Sequence, residues 1–253
     1  AWGRVIDYRE YQISQKLNVK TYFDSELDSD NILEFGFQNI CIATGAKWRV
    51  DGVSRQHVVP MPMDSAMPIY TPDDIMSGKK LSGKVVIYDD DHYYMGGVMA
   101  ELLISENCEV TIITPSAYLS DWTVNTLEQH AIHKKLAEMG AKIVLNRGVT
   151  QIAVGHVVSD CVYTGMIQNF ECDAVVVVAS KLENNRVFNM RKEREMEWAD
   201  AGIKSVKLIG DANAPGPIAW ATYAGHRYAR ELDGEDIADN LPFRREITQL
   251  AVD

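Results

Sequence analysis

Three adjacent aspartates interrupt the stretch KVVIYDDDHYYMGG, which runs from Lys84 to Gly97. An apolar strand, a tight turn and a helical pattern in this order are typical of a dinucleotide-binding unit, whose turn normally carries glycines that let the backbone approach a pyrophosphate. Here the turn carries Asp89, Asp90 and Asp91 instead. One carboxylate about 5 Å from a phosphate costs about 3 kcal/mol at an effective dielectric constant of about 20. We therefore expect that no NAD(P) binds at this turn.

The same acids allow two other interpretations. Together with His92 they could ligate a divalent cation, because such cations prefer carboxylate oxygens. Three acids in an exposed turn are more often simply solvated, and we favour that interpretation. The histidines His130 and His133 lie three residues apart on a predicted helix, but no further ligands follow at matching spacing. We predict no metal site.

Two strand ends carry residues suited to a cofactor. The strand QNICIATGA ends in Thr44 and Gly45, and the glycine lets the chain turn beside a ligand. The strand SVKLIGDA ends in Gly210 and Asp211, where a carboxylate can accept hydrogen bonds from ribose or ribityl hydroxyls before a helix N-terminus that favours a pyrophosphate. A plain turn and a helix cap are the alternatives. These four residues are the predicted cofactor-binding residues, and no catalytic residue is predicted.

Composition narrows the class of protein and its partners. The chain has 253 residues, of which 46% are apolar and 24% charged, as in ordinary globular proteins. Its net charge of −11 argues against nucleic acid and anionic membranes as partners. The four cysteines lie far apart without a C-x-x-C pair, so we expect reduced thiols and a reducing, cytoplasmic compartment. The chain opens on Ala-Trp-Gly without a methionine, which favours an engineered fragment, a proteolytic product or the tail of a longer polypeptide.

The order of elements predicts an α/β protein. Helices are predicted over residues 4–17, 94–106, 123–139 and 186–199, and strands over residues 19–23, 84–89, 109–114 and 142–146. A meander of short strands and the buried strand DAVVVVAS follow. We predict two Rossmann-like domains of the FAD/NAD(P)-binding, disulfide-reductase-like kind, with the second inserted in the first. The first, residues 1–80 with 201–253, is incomplete at its N-terminus, and the second spans residues 81–200.

Several segments together resemble one family. DYRE, ATGAKW, KVVIYDDDHYYMGGVMAELL, the segment from EVTIIT to TLEQH, and the segment from GDANAP to GHRYARE are similar to the C-terminal part of the trimethylamine dehydrogenase family. That family includes dimethylamine and histamine dehydrogenases and is related to 2,4-dienoyl-CoA reductase and to old-yellow-enzyme-like NADH:flavin oxidoreductases. The resemblance covers essentially the whole chain.

The resemblance implies a function for a parent enzyme. Family members oxidatively demethylate or deaminate small amines at an FMN in an N-terminal barrel and pass electrons through a 4Fe–4S cluster to an electron-transferring flavoprotein. ADP or FAD would occupy the first domain of this region, whose role is to hold that cofactor. The barrel of the same polypeptide or a partner subunit, and a second copy in a homo-oligomer, are the implied partners.

Two other functions stay open for the chain. It could be a non-catalytic subunit or interaction module that docks a flavoprotein, or a fragment of an NAD(P)H-dependent flavin reductase. The acidic turn argues against the second of these, because it repels the phosphates of a nicotinamide dinucleotide. Whether the chain alone is an enzyme stays undecided from its residues.

Overall fold

The computed structural model describes residues 3–232 and residue 234, without the side chains of residues 29 and 190–193. Its helices are α1 (Gly3–Ser14), α2 (Ser29–Glu34), α3 (Pro72–Met76), α4 (Met95–Ser105), α5 (Gln129–Glu138), α6 (Arg186–Glu193) and α7 (Ile218–Glu231). Its strands are β1 (Asn39–Ile42), β2 (Ala46–Trp48), β3 (Ile69–Tyr70), β4 (Lys84–Asp89), β5 (Glu109–Ile113), β6 (Lys142–Val144), β7 (Arg147–Ala153), β8 (His156–Cys161), β9 (Ile167–Glu171), β10 (Ala174–Val178), β11 (Lys181–Glu183) and β12 (Ser205–Leu208). The chain forms two compact units, residues up to 42 with 186–207, and residues 43–185 with those from 208 onward.

The larger unit is built on a five-stranded parallel sheet with the strand order β3-β10-β4-β5-β6. Val86 of β4 lies opposite Val175 of β10 and Thr111 of β5. All five residues of β10 are buried. Parallel sheets are covered on both faces, so their central strands are apolar throughout rather than alternating, as the run AVVVV is here.

Alternate side chains of β4 enter two different apolar clusters. Val85 and Ile87 pack with side chains of α4 and α5 on one face of the sheet. Val86 and Tyr88 pack on the other face with side chains of β7, β8 and β9, which form an antiparallel three-stranded sheet. Successive strand residues point to opposite faces, which explains the division. The carboxyl end of β4, where the acidic turn begins, is therefore enclosed from both sides.

Local sequence patterns predicted several elements of the larger unit. The strands predicted over 84–89, 109–114 and 142–146, the meander and DAVVVVAS are all present as strands. The helix predicted over 123–139 is wrong in its first part, where a 3₁₀ turn, Asp121–Val124, precedes α5. Leu127 between them has a φ of 62°, which no α-helix of L-residues accommodates.

The smaller unit contains α1, α2, β1 and α6. Asp28 caps α2 by accepting hydrogen bonds from the backbone of Asp30 and Asn31. None of the residues of α1 is buried, and Ile6, Tyr8 and Tyr11 are among its exposed apolar side chains. The strand predicted over residues 19–23 is wrong, because that segment has no neighbouring strand to pair with among the described residues.

The predicted fold class is wrong in that the chain does not contain two Rossmann-like domains among its described residues. Two Rossmann-like FAD/NAD(P)-binding domains would each need a parallel sheet of several strands. The described residues contain one such sheet, the five-stranded one. The strands ICIATG and VKLIG, expected to build the other, form only the two-stranded pair β1-β12, because no further strands of the described chain join them. The described residues form an α/β protein built on the five-stranded parallel sheet.

The domain boundaries at residues 80 and 200 stay a prediction. The boundaries between the compact units of the structure fall elsewhere in the sequence, between residues 42 and 43, 185 and 186, and 207 and 208. Among the helices of the described residues, none has both the length and the apolar character required to cross a lipid bilayer.

Candidate functional site

The acidic turn is anchored at the carboxyl end of the parallel sheet. The backbone N–H groups of Asp90 and Asp91 both donate to the carbonyl oxygen of Val178, the last residue of β10, at 2.9 and 3.1 Å. The turn is closed by His92, whose φ of 67° lies in the left-handed region. Its position relative to the sheet is therefore set by main-chain hydrogen bonds and not by solvent contact.

Asp90 is buried and connects the acidic turn to the loop around residue 55. Its carboxylate is 1% exposed and accepts hydrogen bonds from the Ser54 hydroxyl, the Gln56 backbone N–H at 2.8 Å and His92 Nε2 at 2.8 Å. Burial alone would raise the pKa of Asp90, but the hydrogen bonds from His92 and Ser54 outweigh it and hold the pKa below its ordinary value. Asp90 thus fixes the loop around residue 55 to the end of β4.

Asp89 is also buried, but its carboxyl group is only half satisfied. One oxygen accepts a hydrogen bond from the backbone N–H of His92 at 3.1 Å, and the other, Oδ2, has no hydrogen-bond partner among the described residues. A Cβ at Gly96 would lie 2.5 Å from that oxygen, so a glycine is required where α4 begins. Burial raises the pKa of Asp89 to about 7.

These observations correct the interpretation of the turn as solvated. Asp89 and Asp90 are 0% and 1% exposed, and Asp91 is half-buried. The carboxyl group of Asp89 itself fills the space beside the first turn of α4, which a phosphate would take in a dinucleotide site. The divalent-cation interpretation receives no support either, since no group of three or more His, Cys, Asp or Glu residues in the described chain is placed to hold a metal.

Two cations accompany the third aspartate. Burial raises the pKa of Asp91, and the positive charges of Lys181 and Arg55 oppose that rise. The guanidinium of Arg55 lies 5.5 Å from the ring centroid of Trp122, which in turn stacks on Tyr93 at 5.7 Å. Neither cation belongs to a sequence motif, so neither was predictable as a neighbour of the acidic turn.

The predicted residues Thr44 and Gly45 lie immediately before β2. The Thr44 hydroxyl donates to the carbonyl of Asn184, and the Asn184 backbone N–H donates to the carbonyl of Gly45 at 2.9 Å. Gly45 has a φ of 75°, and a Cβ built on it would meet no atom within 4 Å. The structure therefore has open space at this strand end, as a closely approaching ligand requires.

The predicted residues Gly210 and Asp211 lie in a 3₁₀ turn that follows β12. Gly210 has a φ of 60°. Asp211 does not cap a helix, because α7 begins only at Ile218. One oxygen of the Asp211 carboxylate accepts a hydrogen bond from the Gly216 backbone N–H at 3.2 Å, and the other lies 3.8 Å from Nζ of Lys181.

The strand pair β2-β11 connects the two pairs of predicted cofactor-binding residues, one pair at each of its ends. Trp48 lies opposite Lys181 and Ala46 lies opposite Glu183 in this antiparallel pair. Thr44 and Gly45 contact Asn184 at one end of the pair, and Lys181 reaches Asp211 at the other. No local sequence pattern predicts this arrangement, because Thr44 and Asn184 are 140 residues apart.

The described residues do not fit an iron–sulfur cluster. All four cysteines are free; Cys41 is exposed, Cys161 is half-buried, and Cys108 and Cys172 are buried. A 4Fe–4S cluster requires four thiolates at one point. The residues around β2-β11 do fit a nucleotide, since they combine an open strand end, a half-exposed carboxylate and a cation.

Comparison with known proteins defines the class of the larger unit. Residues 70–190 match the family model described as the OYE-like second alpha/beta domain. This match covers β4, the acidic turn and β10, and it is to one α/β domain. It overturns the prediction of two Rossmann-like FAD/NAD(P)-binding domains, in agreement with the one five-stranded sheet among the described residues.

Three relatives extend the comparison to nearly the whole chain. The dimethylamine dehydrogenase of Hyphomicrobium sp. (strain x) is 31% identical over 97% of this chain and 37% of its own length. The histamine dehydrogenase structure from Rhizobium sp. 4-9 is 62% identical, with a TM-score of 0.94 over 98% of this chain and 39% of its own. The 6-hydroxypseudooxynicotine amine oxidase of Pseudomonas geniculata N1 is 36% identical, with a TM-score of 0.85 over 89% and 34%. The chain is thus similar to two amine dehydrogenases and an amine oxidase, and it spans less than two fifths of the length of each.

Proposed function

We propose that this chain is the C-terminal, cofactor-holding region of a flavin-dependent amine dehydrogenase. The observation that carries the proposal is the 62% identity to histamine dehydrogenase over 98% of the chain. All three relatives act on amines by name. The parent enzyme would oxidise a small amine such as dimethylamine or histamine by demethylation or deamination.

The chemistry would reside outside the residues described. The FMN that accepts electrons from the amine, and a 4Fe–4S cluster, would lie in an N-terminal barrel, since the four free cysteines here do not converge. An electron-transferring flavoprotein is the proposed acceptor, and a homo-oligomer in a reducing cytoplasm is the proposed state. Free cysteines are compatible with such a compartment.

Within this region, the proposed role is to hold ADP or FAD beside β2-β11. Gly45 leaves open space at the strand end, and the Asp211 carboxylate has one oxygen directed to Lys181 and not to the backbone. That oxygen can accept a hydrogen bond from a ribose or ribityl hydroxyl. We propose no nicotinamide cofactor, because the Asp89 carboxyl fills the space at α4.

A second function is favoured by one observation. Exposed apolar side chains are concentrated in residues 3–37, where α1 has no buried residue. Such a surface is typical of an interaction site. A non-catalytic interaction module would use it to dock a flavoprotein, whereas in the proposed parent enzyme it would be covered by the N-terminal barrel.

Replacement of Asp211 by asparagine tests the cofactor-holding role. The amide keeps the size of the side chain but loses the charge that favours a hydroxyl donor, so we expect adenosine and ADP to bind at least about fivefold more weakly, or about 1 kcal/mol. Binding would be followed by two-dimensional NMR of the 253-residue chain. Asp64→Asn is the matched control, because Asp64 also accepts a backbone hydrogen bond in a loop, from Ala66 at 2.9 Å. Equal affinities of wild type and Asp211→Asn would contradict the assignment.

A further inference from the structure

Lys181 occupies a defined position at the start of β11. It lies opposite Trp48 in the strand pair, and its Nζ is 4.9 Å from the centroid of the Trp48 ring. The side chain is 24% exposed, far less than a solvated lysine. An ammonium over the face of a tryptophan is held by the ring electrons, so its location is restricted.

The ion pair between Lys181 and Asp211 is loose. The distance of 3.8 Å from Nζ to Oδ2 exceeds that of a hydrogen bond, which is roughly 2.7–3.2 Å. The Asp211 side chain is 27% exposed, and its other oxygen accepts the hydrogen bond from Gly216. The two charged groups are thus close enough to attract each other, and no hydrogen bond joins them, so each can bind a ligand group of its own.

The separation suits two neighbouring groups of one nucleotide. Hydrogen bonds of roughly 2.8 Å on either side of the 3.8 Å gap can span up to about 9 Å. A ribose hydroxyl and a phosphate of the same adenine nucleotide lie within that reach. The positive charge of Lys181 also acts on Asp91, where it opposes the rise in pKa that burial causes. Without Lys181, a phosphate here would meet two carboxyl groups with less opposing charge.

We propose that Lys181 binds a phosphate group of the adenine nucleotide whose ribose hydroxyl is bound by Asp211. This inference rests on the proposed cofactor-holding function and adds to it a phosphate contact that belongs to no recognised motif. Trp48 restricts the lysine and Asp211 attracts it, and both contacts lie at the end of β2-β11 opposite to Gly45.

Lys181→Met tests the phosphate contact, with ADP and adenosine as the two probes. We expect the variant to bind ADP about tenfold more weakly than wild type and to bind adenosine equally well, because adenosine has no phosphate. Lys142→Met is the matched control: Lys142 also begins a strand, β6, and its Nζ lies 5.1 Å from the Phe170 ring centroid. It should leave both affinities unchanged. Lys181→Arg keeps the charge and should retain most of the ADP affinity.

The possible results separate the two proposals. Equal ADP affinity of wild type and Lys181→Met would overturn the phosphate contact and leave the Asp211 assignment standing. An equal loss for ADP and adenosine would also overturn it, since Lys181 would then act by positioning Asp211. Failure of wild type to bind either probe would overturn the cofactor-holding function together with this inference. NMR spectra of each variant establish that the fold is retained.

Discussion

Replacing Asp90 with alanine is expected to lower the free energy of unfolding by about 3–5 kcal/mol at pH 7. The substitution removes a buried acceptor and leaves the Ser54 hydroxyl, the Gln56 backbone N–H and the His92 ring without it. Buried donors without partners each cost about 1–3 kcal/mol. Urea denaturation of wild type and variant measures the difference.

The effect of Asp90 should depend on pH in a defined direction. The pKa of Asp90 is held below its ordinary value of 3.8, so its contribution is fully present above about pH 4 and is lost as the pH falls through the lower folded-state pKa. Asp64→Ala is the control, since Asp64 is exposed, and it should cost less than about 1 kcal/mol. If Asp90→Ala lowered the free energy of unfolding by less than about 1 kcal/mol, Asp90 would not stabilise the loop around residue 55.

Asp89→Asn is expected to raise the free energy of unfolding at alkaline pH, whereas Asp90→Ala lowers it. Burial raises the pKa of Asp89 to about 7, so its contribution to stability is fully present below its ordinary pKa of 3.8 and is lost as the pH rises through 7. Asparagine stays neutral and cannot lose that contribution. At pH 8 the variant should therefore unfold with a free energy about 1–3 kcal/mol above wild type.

The comparison over pH isolates the ionisation from other effects of the substitution. The advantage of Asp89→Asn should be nearly constant above pH 7 and shrink between pH 7 and pH 5, because wild-type Asp89 becomes protonated and its unpartnered oxygen carries no charge. Asp64→Asn should show a difference from wild type that does not vary over this range. A variant that is less stable than wild type at pH 8, or a difference independent of pH, would contradict the account of Asp89.

Strand identity in the larger unit was predictable because it depends on local pattern. The run VVIY is apolar over four residues and the run AVVVV over five, and only a strand buried on both faces requires that. The meander was predictable from its Gly155 and Gly165 turns, both of which have positive φ. These features need no information from distant parts of the chain.

The fold class and the state of the acidic turn were not predictable by the same means. Asp90 is buried because Ser54 and Gln56, more than 30 residues earlier, supply hydrogen bonds to it. Lys181 lies over the Trp48 ring only because β11 pairs with β2, which lies more than 130 residues before it. Tertiary contacts determine whether a charged residue is buried and which groups it contacts. A local sequence of three aspartates is the same in a solvated turn and in an enclosed one, so it does not distinguish them.

The intact mass and absorption spectrum of the native polypeptide that contains this 28.4 kDa chain test the central proposal most directly. The chain covers 37% and 39% of two relatives, so we expect a polypeptide of about 70–80 kDa that carries flavin absorption. That absorption should bleach when a small amine is added without oxygen and should not respond to NADH. A native polypeptide of 28.4 kDa without flavin, or a flavin bleached by NADH and not by amines, would contradict the assignment.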